Sequence, residues 1–349
     1  MSVGFIASVD PSLLPTGPIE GPAAWYGSDL AGQTGWIFQL DDTDRAEIDG
    51  AIRAFSASGV QLSEITPGSF ALPGLAPRLK AVLGELLDGR GFVLVRGFEV
   101  ERYTRAEAAI AYMGIGSYFG RPRSQNAKGH LLGHVRDLGY SVADPGVRYY
   151  QTSRKLDYHT DSVDIVGLLC LKTAKAGGES FIASSTTCYN EFHKRRPDLL
   201  PRLFDAFPTD RRGEIPEGMQ PWFDIPVFHW HEGRLSASFT GEYIESAQHR
   251  FPEARRLTSA HQEALELLSE LVNDPRIRLA MTFDPGDMQF LHNHQIFHAR
   301  TDFENWPEPE RHRHLLRLWL CPANGRPLPK VFEPRYGSVT PGDRGGIVV

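Results

Sequence analysis

The first residues whose types and spacing suggest chemistry are His159 and Asp161, two positions apart in the segment YHTD (158–161). Residues two apart on an extended strand point to the same face, so this imidazole and this carboxylate can bind one ion. An H-x-D triplet is common by chance, and a surface strand with a His–Asp hydrogen bond is the more frequent explanation. A metal site therefore requires a third ligand from elsewhere in the chain.

A third ligand is available in the segment DPGDMQFLHNHQIFHAR (284–300), which contains His292, His294 and His298. Their even numbering places all three on one face of an unbroken strand, so the spacing does not select one of them. Two imidazoles and one carboxylate with open coordination positions suit non-haem Fe(II), whereas a structural zinc site closes all four positions. The pattern favours an iron centre.

Two arginines in the segment RHRHLLRLWL (311–320) suggest an anion site near this metal. Arg313 and Arg317 are four residues apart and would share one face of a strand. A buried guanidinium is costly unless it meets an anion, and its planar fork suits a carboxylate. The alternative is a surface pair bound to Glu308 and Glu310, which the apolar residues on both faces of the segment make less attractive.

The N-terminal half of the chain shows an arm followed by helices. Residues 1–40 are rich in Pro and Gly and predict an extended arm. Capping-box spacing at Asp44 with Glu47, and at Thr104 with Glu107, helps to predict helices near 43–56, 75–88 and 104–113. The run GFVLVRGFEV (91–100) predicts a buried strand between the last two helices.

The second half of the chain is rich in short apolar runs separated by turn residues, which indicates β structure. One strong helix interrupts it, starting at a capping box of Ser259 with Gln262 and ending at Asp274-Pro275. We therefore predict a mainly β domain with helical additions over 41–349. It would carry a lid-like loop near 120–146 and a helical insertion near 186–275.

Composition and charge exclude several classes of protein. Of 349 residues, 41% are hydrophobic and 23% are charged, as in globular proteins, and a net charge of −6 argues against nucleic acid as a partner. The longest apolar run, Ile165–Leu171, is far shorter than the roughly 20 residues of a bilayer span, so no membrane partner is expected. No signal peptide is evident, and Cys170, Cys188 and Cys321 read as small buried hydrophobes in a reducing cytoplasm.

Four segments in this order resemble the taurine dioxygenase-like (TauD/TfdA) family of Fe(II)/2-oxoglutarate-dependent oxygenases, which includes clavaminate synthase-like enzymes. They are YHTD (158–161), AGGESFIASS (176–185), NHQIFHAR (293–300) and RHLLRLWL (313–320). The resemblance extends from about residue 91 to residue 322. It implies a double-stranded β-helix, or jelly-roll, core.

The resemblance also implies the roles of individual residues. Fe(II) would be held by His159, Asp161 and His298, which leaves His292 and His294 with structural or supporting roles. Arg313 would grip the distal carboxylate of 2-oxoglutarate, assisted by the hydroxyl of Ser180. The remaining candidates are substrate contacts: Arg317, Tyr158, Gln125 and Asn126.

The implied reaction consumes 2-oxoglutarate and O2, releases succinate and CO2, and oxidises an unactivated C–H bond. The substrate would be a small metabolite that itself carries a carboxylate. The carboxylate at Asp161 favours oxygenation over halogenation, because halogenating relatives have a small residue at this position. Hydroxylation, desaturation and ring closure all fit the pattern. Asp164, on the opposite parity to His159, is expected on an outer face or in a turn.

Two other functions fit part of the pattern. A zinc hydrolase could use the same three metal ligands to activate water, but it would give Arg313 and Ser180 no role. A non-catalytic barrel could bind a small acid as a sensor or carrier. A homodimer is allowed by the sequence, but no segment demands it.

Overall fold

The computed structural model describes residues 4–6, 8–10, 14–140 and 149–347. Within these ranges the α-helices are α1 (Gly27–Leu30), α2 (Asp42–Ser58), α3 (Ala76–Leu87), α4 (Arg105–Ser117), α5 (Ser185–Arg195), α6 (Gly241–Arg250), α7 (Ser259–Asn273) and α8 (Glu333–Tyr336). The strands are β1 (Ile37–Gln39), β2 (Phe92–Arg96), β3 (Arg121–Pro122), β4 (Leu132–Val135), β5 (Leu156–His159), β6 (Ile165–Lys172), β7 (Ala176–Gly177), β8 (Ser180–Ser184), β9 (Ala206–Asp210), β10 (Trp222–Pro226), β11 (Phe228–His231), β12 (Arg234–Ala237), β13 (Arg278–Met281), β14 (Met288–His292), β15 (Ile296–Arg300), β16 (Phe303–Glu304) and β17 (His314–Cys321).

Two sheets position the candidate site. The larger has the order β1-β2-β14-β6-β17-β3, with β4 also paired to β17, and the smaller has the order β13-β8-β15-β5. Strands β14 and β15 are separated only by a turn at residues 293–295, so the chain passes there from the larger sheet to the smaller one. The fold is therefore mainly β with helical additions, as predicted.

The two faces of the larger sheet have different partners. On β17, Leu316, Leu318 and Leu320 pack with the core that includes helices α2 to α4, whereas Leu315 and Trp319 belong to a second core shared with strand β8 of the smaller sheet. This alternation follows from the two-residue period of a strand. Burial on both faces explains why these strands read as nearly continuous apolar runs.

The predicted early helices are confirmed, but one cap was misplaced. Thr104 and Glu107 form the predicted capping box of α4. At α2 the box is formed by Asp41 and Asp44, so the prediction of Asp44 with Glu47 was wrong. Asp41 has the extended backbone of a cap, which puts Asp44 inside the first turn. Glu47 instead accepts hydrogen bonds from backbone N–H groups of the loop before α3.

The cap of α7 was also misplaced, by one residue. Thr258 and His261 form its capping box instead of Ser259 and Gln262, because Thr258 is the last residue with extended backbone. The predicted end of this helix before Asp274-Pro275 is confirmed.

The predicted arm, loop and insertion all contain regular structure. In the arm, β1 pairs in parallel with β2, adding a strand to the larger sheet. In the lid-like loop, β4 pairs with β17, and residues 141–146 lie outside the described part of the chain. The insertion at 186–275 contains the hairpins β9–β10 and β11–β12 beside its helices. The sequence did not predict these strand pairings, because they join segments that are far apart in the chain or have only a weak strand pattern.

Residues 322–347, here called the C-terminal segment, fold back onto the loop that follows β5. The N–H groups of Gly346 and Ile347 donate to the carbonyl groups of Ser162 and Ser124, each at 2.8 Å. Helix α8 lies in this segment, and its Tyr336 side chain is buried. The segment therefore contacts both the β5–β6 loop and the loop before β4.

Two simpler predictions can be compared with the structure. Cys170, Cys188 and Cys321 are buried and form no disulfide, as predicted. Among the described helices, none combines the length and the apolar character that crossing a bilayer requires.

Candidate active site

The structure brings His159, Asp161 and His298 together. His159 ends β5 and lies directly opposite His298 of β15 in the antiparallel pair. The Nε2 atoms of both histidines lie 3.9 Å from the Asp161 carboxylate, one from each oxygen. Potential ligand atoms of the three side chains all lie within 4.8 Å of one another. One ion could therefore contact all three.

The electrostatics keep these groups in the form that binds a metal. Burial lowers the pKa of His298 to about 3, and the neighbouring His159 adds to this shift. Burial also lowers the pKa of His159, whose Nδ1 hydrogen-bonds to the carbonyl of Asp157 at 2.8 Å. That bond leaves the Nε2 lone pair free for a metal. Both imidazoles are neutral at pH 7.

The Asp161 carboxylate is held ionised by its neighbours. Burial opposes ionisation, but neighbouring groups, first among them the charge of Arg317, outweigh it and lower the pKa of Asp161. Nε1 of Trp319 donates to Oδ2 at 3.0 Å, and the backbone N–H of Asp161 donates to Oδ1 of Asn293 at 3.0 Å. Strand β17 thus holds the carboxylate of Asp161, and the turn at 293–295 holds its backbone.

Arg317 and Gln125 form one unit beside this carboxylate. Nη1 of Arg317 lies 3.7 Å from Oδ1 of Asp161, and its Nε donates to Oε1 of Gln125 at 2.7 Å. Gln125 also donates to the carbonyl of Arg317 at 2.8 Å, and the guanidinium lies over Tyr150. Gln125 therefore holds Arg317 in place, and both line the cavity described below.

The other two candidate substrate contacts lie in less suitable places. Tyr158 borders the cavity, but its ring is buried in a core with Cys188 and its exposed fraction is 5%. Strand alternation points Tyr158 away from His159. Asn126 accepts a bond from the N–H of Lys128 within its own loop and is not part of the cavity wall.

Arg313 lies just before β17 and is buried. Its Nη2 donates to the carbonyl of Gly178 at 3.3 Å, and its Nη1 has no hydrogen-bond partner. Burial lowers the pKa of Arg313 to about 10, and no carboxylate opposes the shift. Ser180, two residues after Gly178, is also buried and accepts a bond from Nε2 of Gln289 at 3.1 Å. Neither Arg313 nor Ser180 reaches the wall of the open cavity.

A second buried arginine lies close to Arg313. The guanidinium carbons of Arg300 and Arg313 are 4.7 and 5.1 Å from the ring centre of Phe303. Burial, and then the charge of Arg313, lower the pKa of Arg300 to about 9. Its Nη1 also lacks a partner. Two like charges in a buried region indicate a place where an anion would be stabilising.

His292 and His294 lie outside the triad because the turn at 293–295 breaks the strand that would have aligned all three histidines. Nε2 of His294 lies 3.0 Å from Oδ1 of Asp164. The same carboxylate is bound by Nε and Nη2 of Arg344, and both side chains are 0% exposed. Asp164 lies in the bend at 162–164 before β6, which fits the expected turn, but the alternative of an outer face was wrong because the side chain is fully buried. The cation that stabilises its burial comes from the C-terminal segment, 180 residues away.

A large cavity opens onto the triad. Its volume is about 1510 Å³, and its wall includes His159, Asp161 and Arg317. The C-terminal segment supplies part of the wall, including Arg335, whose guanidinium donates to Thr160 and Ser162 on either side of Asp161. A small molecule in this cavity would therefore touch both the metal ligands and the C-terminal segment.

Comparison with known families identifies the family to which the chain belongs. Residues 58–319 match the family described as "Taurine catabolism dioxygenase TauD, TfdA family". The chain belongs to the TauD/TfdA family of dioxygenases. Its resemblance at the four motifs is thereby confirmed.

Relatives and solved structures agree with this assignment. This chain is 30% identical over 320 residues to FR-33289 synthase of Streptomyces rubellomurinus, and the match covers 89% of this chain and 93% of that protein. It is 31% identical over 335 residues to the taurine hydroxylase-like protein SAT17 of Stachybotrys chartarum, covering 91% and 86%. Its fold is similar to that of an asparagine oxygenase solved with Fe(II), 3-hydroxyasparagine and succinate, with a TM-score of 0.63, 15% identity and coverage of 82% and 93%.

The TauD/TfdA dioxygenase is thus a non-haem iron enzyme that uses Fe(II), 2-oxoglutarate and O2. Its donor set fits this metal, since two neutral imidazoles and an ionised carboxylate can occupy one face of an iron ion and leave other positions open. The zinc hydrolase and the non-catalytic barrel are not favoured by these matches.

The sequence analysis did not identify three residues of this site as candidates. Trp319 could have been found, because it follows Arg317 by two positions on the same strand face. Gln289 and Arg335 carried no local signal, since their partners lie more than 100 residues away in the chain.

Proposed function

We propose that His159, Asp161 and His298 hold Fe(II), and that the enzyme oxidises an unactivated C–H bond of a small, carboxylate-bearing metabolite with release of succinate and CO2. The observation that carries this proposal is the convergence of three ligand atoms within 4.8 Å of one another, with His159 and Asp161 in the wall of a cavity. The proposal covers hydroxylation, desaturation and ring closure.

The 2-oxoglutarate site follows from the charge of Arg313. A buried guanidinium with an unbonded Nη1 and no opposing carboxylate is stabilised when an anion binds it. We assign the distal carboxylate of 2-oxoglutarate to this group, with the hydroxyl of Ser180 as a second donor. The nearby charge of Arg300 strengthens the attraction for an anion.

The substrate class is supported by Arg317 and by the structural neighbours. Arg317 lines the cavity beside Asp161 and is held by Gln125, so its remaining donors can meet an anionic substrate. Solved neighbours of the same fold were determined with 3-hydroxyasparagine and with (3S)-hydroxy-L-Arg. We infer an amino-acid derivative or a similar small acid, with Arg317 as the principal contact and Gln125 as its support. Tyr158 and Asn126 stay weaker candidates.

The protein's own contribution is positioning and exclusion of water. Bound iron and 2-oxoglutarate supply the oxidising chemistry, as in other cofactor enzymes. Trp319 and the turn at Asn293 orient the Asp161 carboxylate, and the carbonyl of Asp157 orients the His159 ring. The two cores on either side of the larger sheet keep this region rigid.

Several broader predictions accompany this function. We infer that the two sheets form a jelly-roll core, because the larger sheet turns one face toward strand β8 of the smaller sheet. We also infer an N-terminal arm at 1–40 and one domain at 41–349, with a loop near 120–146 covering the cavity. The absence of nucleic acid and membrane partners, a cytoplasmic location and the allowed homodimer stay predictions from the sequence.

Anaerobic titration tests the proposal. Addition of Fe(II) and 2-oxoglutarate to the purified protein should give the weak visible metal-to-ligand absorption band, and His298→Ala should abolish it. Arg313→Gln should weaken 2-oxoglutarate binding while leaving Fe(II) binding intact. His249→Ala, a change at an exposed histidine, serves as the control. Absence of the band in the wild type would contradict the proposal, and succinate release across a panel of small acids would identify the substrate.

A further inference from the structure

The cavity contains two arginines whose charges are not balanced by a carboxylate. Arg211 follows β9, and Arg335 lies in α8 of the C-terminal segment. Both line the cavity, and neither forms an ion pair with a carboxylate of the described residues. Two other cations in the same wall are paired, since Lys155 lies 2.5 Å from Asp157 and Arg123 lies 3.1 Å from Asp343.

The guanidinium of Arg335 is fixed in place by neutral groups. Its Nε donates to the hydroxyl of Ser162 at 3.1 Å, and its Nη1 donates to the hydroxyl of Thr160 at 3.2 Å and to Ser238. Hydroxyl groups orient a guanidinium but do not neutralise it. Arg335 is close enough to the metal ligands for its charge to contribute to the lowered pKa of His159.

Arg211 is oriented toward the same end of the cavity. Its Nη2 donates to the carbonyl of Pro334 at 2.8 Å, the residue immediately before Arg335, and its Nε donates to the carbonyl of Gln220 at 3.1 Å. The guanidinium lies 4.8 Å from the ring centre of Phe223. Burial lowers the pKa of Arg211, and no carboxylate opposes the shift. Its charge is therefore partly desolvated and uncompensated.

The acidic residues next to these arginines do not neutralise them. Asp210 is bound by Arg250 at 2.7 Å and by Ser246 at 2.6 Å. Glu333, in the same helix as Arg335, is exposed and forms no ion pair with either guanidinium. Two half-buried guanidinium groups in one cavity wall, linked through the backbone at Pro334 and lacking carboxylate partners, are stabilised when an anion enters the cavity between them.

We propose that Arg211 and Arg335 form an oxyanion subsite for the primary substrate, distinct from the 2-oxoglutarate site at Arg313 and from Arg317. This inference rests on the proposed function. The ligand is the carboxylate, phosphonate or phosphate end of a small metabolite. Arg211 would supply the hydrogen bonds, because its Nη1 has no partner among the described residues, whereas Arg335, whose Nη2 also donates to the carbonyl of Thr160, would contribute mainly its fixed charge. Arg335 lies beyond the family-matched residues 58–319, whereas Arg211 lies within them.

The firm anchoring of the C-terminal segment supports this role. Arg344 binds the buried Asp164, three residues after the metal-binding Asp161. The backbone bonds of Gly346 and Ile347 add two further attachments. Because the segment is held in this way, Arg335 is positioned before substrate arrives, and binding does not have to order it.

Calorimetric titration of the anaerobic Fe(II)–2-oxoglutarate enzyme tests the subsite, with methylphosphonate and acetate as anionic probes and acetamide as the neutral probe. The wild type should bind at least one anion and not acetamide. Arg335→Gln and Arg211→Gln should each weaken that binding by roughly tenfold or more, because both remove a positive charge and Arg211→Gln also removes hydrogen bonds. Lys155→Gln, at a paired cation in the same wall, should leave it unchanged. The anion that binds more tightly indicates which oxyanion the substrate carries.

Two results would overturn the subsite. One is a wild type that binds neither anion, or variants Arg211→Gln and Arg335→Gln that both bind an anion as tightly as the wild type does. The other is normal anion binding by Arg211→Gln together with weaker Fe(II) binding by Arg335→Gln, which would show that Arg335 only supports the loop around Asp161. A separate titration with 2-oxoglutarate distinguishes these results from failure of the proposed function. Absence of 2-oxoglutarate binding would contradict the proposed site at Arg313, whereas the titrations with the anionic probes test only the subsite at Arg211 and Arg335.

Discussion

Nε1 of Trp319 donates a hydrogen bond to Oδ2 of Asp161 at 3.0 Å, linking strand β17 of the larger sheet to the carboxylate of the proposed metal site. The other carboxylate oxygen faces Nη1 of Arg317 at 3.7 Å. The indole thus fixes the orientation of a ligand that does not itself lie on a strand. Partners of this kind tune the affinity of a metal site.

Replacing this indole should weaken iron binding. Trp319→Phe keeps an aromatic ring beside Arg317 but removes the donor, so we expect roughly tenfold weaker Fe(II) affinity. Anaerobic Fe(II) titration measures it. Trp306→Phe, which changes a tryptophan under Arg311 at the surface, is the matched control. Equal affinities for the two variants would show that the hydrogen bond has no role in metal binding.

A methyl group at Gly178 should disturb the proposed 2-oxoglutarate site. Gly178 has φ +80°, and a Cβ there would lie 2.9 Å from Nε of Arg313. Gly178→Ala should therefore raise the Kd for 2-oxoglutarate and also cost about 1–2 kcal/mol of stability through its backbone conformation. Gly233→Ala has the same backbone penalty, at φ +72°, but no neighbour within 4 Å. Isothermal titration should show weaker 2-oxoglutarate binding in the first variant only.

Breaking the buried pair of Asp164 and Arg344 should strongly destabilise the fold. Arg344→Met leaves a carboxylate buried without its cation, which typically costs about 3–5 kcal/mol. The double variant with Asp164→Asn should recover part of this loss, because the unpaired charge is gone. Urea unfolding measures these differences. Arg234→Met, which breaks an exposed pair with Asp88, should have a much smaller effect.

Stability should fall in mildly acidic solution through His294. Burial lowers the pKa of His294 to about 4, against about 6.5 in an unfolded chain. Between these values the unfolded state binds a proton that the folded state does not, so the free energy of unfolding decreases as pH falls from about 6.5 to 4. The slope is at most about 1.4 kcal/mol per pH unit for one histidine.

His294→Gln should make that slope shallower, because the variant has no imidazole to protonate at this position. Urea unfolding at several pH values gives the comparison with the wild type. Contributions from other buried histidines are common to both proteins and cancel in the difference. His249→Gln removes an exposed histidine and should keep the wild-type slope. An unchanged slope in His294→Gln would contradict the prediction.

Local patterns predicted much of this protein. The strand at 91–100 and the helix that ends before Asp274 are short-range features that the apolar pattern or turn chemistry determines. His159 and Asp161 lie close together as expected, although β5 ends at His159 and Asp161 follows it outside the strand. Spacing did not choose among the three histidines near residue 295, because it could not show that a turn at 293–295 moves the chain from one sheet to the other. The family motif supplied that choice.

Long-range pairs were beyond prediction from one sequence. Asp164 was expected on an outer face or in a turn because of its parity relative to His159, and that reasoning could not show that its partner Arg344, 180 residues away, stabilises it in the core. Arg335 and Gln289 escaped notice for the same reason. Cap positions were missed by one to three residues because several Asp, Thr and Ser residues compete at the starts of α2 and α7.

The backbone bond from Ile347 to Ser124 has a practical consequence for handling this enzyme. Ile347 lines the wall of the cavity, so an affinity tag fused directly after it would begin beside the cavity. Purification handles are therefore better attached at the opposite terminus, and preparations tagged at either end should be compared for turnover before a substrate screen is trusted.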